Sequence, residues 1–137
     1  LKMNKEDYML GCLLIQAYKY KFRISKGYSL VDNVSYIHRP NGSYIKSFKI
    51  KYVSNKKKYG NSYKVNLYPN DLTRDLLIIQ TKCLDFYLIP SVVFDEWDKK
   101  QTTTTVTKHG KYEIFRNNWD LLDVPNEILN RKFKGFA

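Results

Sequence analysis

Asn41-Gly42 is a strong turn signal, and the runs on either side of it alternate in polarity, so the chain is expected to fold around a β-hairpin. Its first arm is Tyr28–Ile37 and its second Tyr44–Val53, with His38–Ser43 as the connection. In the second arm Phe48 and Ile50 alternate with Lys49 and Lys51. A period of two puts the apolar pair toward a core and both lysines on the opposite face. Asp32, Val34 and Tyr36 share one face of the first arm, so pairing of the arms can bring Asp32 near Lys49 and Lys51.

Charge is concentrated in the same region. Between Lys19 and Lys64 lie 12 of the 24 lysines and arginines and a single acid, Asp32; the remaining bases and acids balance, so this segment carries the whole net charge of +11. One carboxylate in a basic field suits a phosphodiester-handling site. It equally describes a solvated basic surface with one compensating acid. A sequence pI near 9.6 favours a polyanionic partner, nucleic acid ahead of a membrane surface. Twelve tyrosines fit strands, interfaces and base stacking.

Asn4 to Tyr20 reads as a helix capped by Asn4, with Glu6 and Asp7 in its first turn and Leu10, Leu13, Leu14, Ala17 and Tyr18 toward a core. Lys19–Ile24 alternates and starts a short strand. Ser62–Tyr68 alternates as a half-buried strand, and Pro69-Asn70-Asp71 turns the chain. Leu76-Leu77-Ile78-Ile79 is continuously apolar, as in a strand covered on both faces. Phe86–Ile89 follows a turn, and Pro90-Ser91 opens a short helix. Thr-rich Gln101–Lys108 is an edge strand or extended loop, Tyr112–Phe115 a short strand, Trp119–Leu122 a helical turn, and Pro125 starts a last helix to Phe133. Phe48, Ile50, Leu76, Ile78, Leu13 and Leu14 are expected in one core. Residues 1–137 read as one domain with a mixed sheet flanked by helices.

This order of elements resembles the PD-(D/E)XK nuclease superfamily, and within it the small endonucleases associated with group I introns and their prokaryotic relatives. The resemblance spans roughly Glu6 to Leu122. Glu6 stands early in the first helix. Val31-Asp32-Asn33-Val34 is similar to the aspartate strand, and Lys49-Ile50-Lys51-Tyr52 stands where Q-x-K-Y is expected. Asp75–Ile79, Tyr87-Leu88-Ile89-Pro90 and Arg116–Leu122 resemble the later strands and the closing segment. It implies an α/β, restriction-endonuclease-like fold for this domain and a Mg²⁺-dependent DNA endonuclease. Asp32 would be the metal ligand, Lys51 the catalytic lysine and Glu6 a supporting acid. Lys49 departs from the pattern by placing a cation where an oxygen donor belongs, which predicts weak Mg²⁺ or Mn²⁺ binding. A DNA-binding protein on the same scaffold that no longer cuts is the alternative.

Each of these residues also has a plainer reading. Asp32 can pair with a lysine, Glu6 can compensate the helix dipole, and Lys49 and Lys51 can simply touch phosphates. Lys46, Lys56, Lys57, Lys58, Arg39 and Lys64 are the expected nucleic-acid contacts, although Lys56–Lys58 also read as a solvated loop. His38 and His109 read as surface residues. A basic protein–protein adaptor fits the localised charge less well. The expected partners are duplex or junction DNA and further copies of the chain, with no membrane, since no apolar run approaches the roughly 18 residues a span needs. An intracellular, cytoplasmic location is expected, with Cys12 and Cys83 reduced.

Overall fold

The computed structural model describes residues 4–26, 34–53, 62–97, 103–107 and 110–137. Helix α1 (Lys5–Lys19) begins where the Asn4 side chain accepts from the Asp7 amide at 2.8 Å, with Glu6 and Asp7 in its first turn. Strands β1 (Arg23–Lys26), β2 (Ser35–His38) and β3 (Lys46–Tyr52) then run antiparallel. Within the predicted hairpin, Ser35 faces Phe48 and Ile37 faces Lys46; Tyr28–Asn33 lie outside the described residues.

The chain next makes β4 (Ser62–Asn66), then β5 (Leu76–Lys82) parallel to β3, and β6 (Asp85–Pro90) antiparallel to β5. The five-stranded order is β1-β2-β3-β5-β6. β4 pairs instead with β7 (Thr103–Thr107) in a two-stranded sheet, and α2 (Asn126–Phe133) closes the described chain.

The continuously apolar run in β5 has the two-sided cover its composition demands. Leu76 and Ile78 face α1, in a core with Leu13, Ala17, Phe48, Phe86, Leu88 and Trp119. Leu77 and Ile79 face the second layer, where Tyr63, Val65, Val106, Leu129 and Phe133 cover them. Phe48 is buried and Ile50 packs against the same core as Leu76, Ile78 and Leu13, as the alternation predicts.

Leu14 was expected there but is exposed, as are Leu10 and Tyr18; α1 buries Met9, Cys12, Leu13 and Ala17 instead. The helix is apolar nearly all round, so periodicity alone does not set which stripe faces inward. Tyr112–Phe115 forms a 3₁₀ turn over Glu113–Phe115 rather than a strand. Its two buried aromatics, Tyr112 and Phe115, are three residues apart, the spacing of a 3₁₀ turn and not of a strand.

The expectation of two free thiols is also corrected: Cys12 of α1 and Cys83 of the β5–β6 turn form a disulfide. The residues were separated by 71 positions in sequence, and packing of α1 on the sheet brings their Cα atoms to 5.2 Å. Beside it, the buried Gln80 amide donates to the Met9 carbonyl at 3.0 Å and the Cys83 carbonyl at 3.3 Å, tying the same two elements together.

Burial, assisted by the charge of Asp85, pushes the Tyr87 phenol up to about 12. An unfolded tyrosine titrates near 10, so the folded chain holds this proton about two pH units longer. The stability linked to it, on the order of 3 kcal/mol, is complete below about pH 10 and is lost as pH rises through about 12. Alkaline titration followed by circular dichroism is expected to show unfolding in that window, with a shallower pH dependence in Tyr87→Phe. Equal curves for the two proteins would contradict the assignment.

Candidate nucleic-acid interface

The face of the five-stranded sheet that looks away from α1 is divided in two. Its β5–β6 half carries Leu77, Ile79, Tyr87 and Ile89 and is sealed by the second layer. Its β1–β2–β3 half carries polar residues in register: Ser25 beside Tyr36, Tyr36 beside Ser47, then Lys49 and Lys51 further along β3. These five side chains belong to neither core and are partly or fully exposed. A hollow of about 230 Å³ indents the same half-face, lined by Ser25, Tyr36, His38, Gly42 and Ile45. The imidazole of His38 lies across it, with Nε2 3.1 Å from Ser25 Oγ and Nδ1 2.7 Å from the Arg39 carbonyl.

Lys49 lies next to Leu77 and Lys51 next to Ile79 across the parallel β3–β5 pair, so both lysines line the seam between the open and sealed halves. The Lys51 ammonium sits 3.1 Å from Asp71 Oδ2 and 5.1 Å from the centre of the Tyr68 ring. Asp71 is fixed in turn by the Tyr68 amide, which donates to Oδ2 at 2.9 Å in the 3₁₀ turn Pro69–Leu72. Asp71 was not among the sequence candidates. The Pro-Asn-Asp turn was visible, but its distance from β3 is closed only by the crossover that makes β3 and β5 parallel.

Glu6 stands in the first turn of α1; burial first, and then the charges of Glu6 and Asp7, push up the phenol of Tyr52, which alternates with Lys51 along β3. Asp32 and Lys56–Lys58 lie outside the described residues. Lys64 is exposed on β4, between buried Tyr63 and Val65.

One expected nucleic-acid contact, Lys46, is corrected, and another, Arg39, is engaged within the chain. Lys46 is buried, and its ammonium donates to the Val124 carbonyl at 2.7 Å and to Asn126 Oδ1 at 2.6 Å. Burial pushes its pKa down, against the opposing charges of Asp75 and Asp123. It has the same parity along β3 as Phe48, so alternation alone places it on the core side. Arg39 is held by the Asp123 carboxylate, donates to the Tyr20 carbonyl at 2.7 Å, and stacks 3.9 Å from the centre of the Phe22 ring. Its donors tie the β2–β3 turn to the C-terminal segment.

Among the described residues no three His, Cys, Asp or Glu side chains form a group able to hold a metal ion, and no helix is long and apolar enough to cross a membrane. Among the described residues, Asp71 is engaged by the Lys51 ammonium.

A mixed sheet with α1 on one face and a second layer over half of the other is an α/β fold. The solved structure of a bacterial homing endonuclease, I-Ssp6803I, superposes with a TM-score of 0.64 over 96% of this chain and 95% of that one, at 16% sequence identity. No family model and no curated protein sequence matches the chain.

Proposed function

We propose that this chain is a DNA endonuclease of the PD-(D/E)XK type, acting on the open half-face of its five-stranded sheet. The observation that carries the reading is the placement of Lys49 and Lys51 side by side on that half-face, beside a shallow hollow. Similarity of fold to a homing endonuclease supports it. A phosphodiester laid along β3 would meet two ammonium groups. Lys51, oriented by Asp71, would stabilise the negative charge that builds on the phosphoryl oxygens as the bond breaks. Asp32, three residues before β2, is the acid that the sequence offers as a Mg²⁺ or Mn²⁺ ligand. Such an ion, when bound, polarises the phosphate and lowers the pKa of an attacking water. Asp32 would supply the carboxylate that holds the ion beside the two lysines. Cutting both strands of a duplex calls for more than one copy of the chain.

A second reading, DNA binding without cleavage, is favoured by one feature: a cation, Lys49, stands where an oxygen donor is expected, and the neighbouring carboxylate is already paired with Lys51.

Both readings predict a steep salt dependence of duplex binding. Lys49→Ala and Lys51→Ala are each expected to reduce the slope of log affinity against log salt by about 1, whereas Lys132→Ala on α2 should leave it unchanged. Fluorescence anisotropy over a salt series checks this. Equal slopes in all four proteins would move the nucleic acid to another face.

Lys49 also separates the two readings. Lys49→Glu removes one positive charge and adds a carboxylate, and is expected to tighten Mn²⁺ or Mg²⁺ binding at least about tenfold, on the order of 1.4 kcal/mol. Calorimetric titration reads this directly. Tight binding by the wild type that is lost in Lys49→Glu would mean that Lys49 is itself part of the site; no binding by either protein would favour the non-cutting reading.

A further inference from the structure

Apart from the Arg23 guanidinium, which stacks 4.6 Å from the centre of the Tyr18 ring, the outward face of α1 has no cover within the described chain, although it is apolar. Tyr8, Ile15 and Tyr18 are 54%, 69% and 67% exposed, and Leu14 between them is 44% exposed. Gly11 completes the row, and a Cβ built there would meet nothing within 4 Å. Positions 8, 11, 15 and 18 follow the three-then-four spacing of a seam between two packed helices, and this seam lies opposite the stripe of Met9, Cys12, Leu13 and Ala17 that α1 buries.

We propose that this seam binds the α1 helix of a second copy of the chain, antiparallel and related by a two-fold axis. Centred near Leu13–Leu14, the pairing sets Ile15 of each copy into the hollow above Gly11 of the other, and Tyr8 against Tyr18. Leu14 meets its own equivalent close to the axis. The surface is thus self-complementary, as a two-fold interface must be.

Charge selects the antiparallel sense. The first turn of α1 is acidic, with Glu6 and Asp7, while its last turn and exit are basic, with Lys19 and Lys21. Antiparallel packing brings the acidic end of each helix to the basic end of its partner and opposes the two helix dipoles; parallel packing would stack like charges. The pairing names the surface through which the copies called for by the nuclease reading would associate. Its test contains neither DNA nor metal, so its failure is distinct from failure of that reading.

The test is sedimentation equilibrium of the full chain. The wild type is expected to be dimeric at about 20 µM, and Ile15→Glu to weaken association at least about 100-fold. Gly11→Glu fills the hollow but meets nothing within its own chain, and should sediment as a monomer with an unchanged helical far-ultraviolet spectrum. Asp7→Lys should raise the dimer Kd at least about tenfold, and adding Lys21→Asp should restore it. Aspartate is tolerated at position 21, where φ is +64°. A wild type that stays monomeric at about 200 µM overturns the proposal, as does association indifferent to both Ile15→Glu and Gly11→Glu. Failure of the charge reversal to rescue Asp7→Lys overturns the antiparallel arrangement.

Discussion

Cys12→Ser is expected to lower the stability of the chain by about 4 kcal/mol, the chain-entropy value for a cross-link closing a loop of this size. The Cys12–Cys83 bond joins residues 71 apart and encloses β1 to β5, so without it the unfolded chain regains the freedom of more than half its length. The loss should appear as a lower midpoint in denaturant and a melting temperature reduced by roughly 10–15 °C. Reductant should move the wild type to the same place and leave Cys12→Ser unaffected. The Gln80 contacts to the Met9 and Cys83 carbonyls remain, so α1 should still dock and the variant should still fold. A wild type indifferent to reductant and as stable as Cys12→Ser would mean that the two thiols are not bonded.

On the endonuclease reading, Lys51→Ala is expected to cut strand cleavage at least about 100-fold, while weakening duplex binding by less than about tenfold. The split follows from geometry. One ammonium among several on a basic surface contributes modestly to binding. The one held 3.1 Å from Asp71 is pre-oriented at the seam of the sheet, where charge would develop in the transition state. Single-turnover nicking measured beside equilibrium binding separates the two effects. Equal losses in both would make Lys51 a phosphate contact only.

Legibility in the sequence followed the range of each interaction. The α1 cap, the Asn41-Gly42 turn and the two-sided burial of β5 are set by neighbouring residues, and all are present. The opposite facing of Phe48 and Lys49 was equally plain, and the same alternation, carried two residues back, also buries Lys46. Its charge suggests a surface position, whereas in the fold the ammonium finds the Val124 carbonyl and Asn126. The inward stripe of α1 was not legible, because Tyr8, Leu14, Ile15 and Tyr18 compete with Met9, Leu13 and Ala17 for the same apolar signal. The disulfide and the Lys51–Asp71 pair join segments that meet only through the sheet's strand order, which no local pattern encodes. Asp32, the proposed metal ligand, lies outside the described residues.

Nicking of supercoiled plasmid, with Mg²⁺ and with EDTA, tests the central claim most directly when Asp32→Ala is run beside the wild type. The endonuclease reading predicts nicking by the wild type in Mg²⁺, none in EDTA and none by Asp32→Ala, although that variant still binds duplex. Nicking that persists in EDTA or in Asp32→Ala, or a wild type that binds DNA tightly and cuts under neither condition, would contradict it.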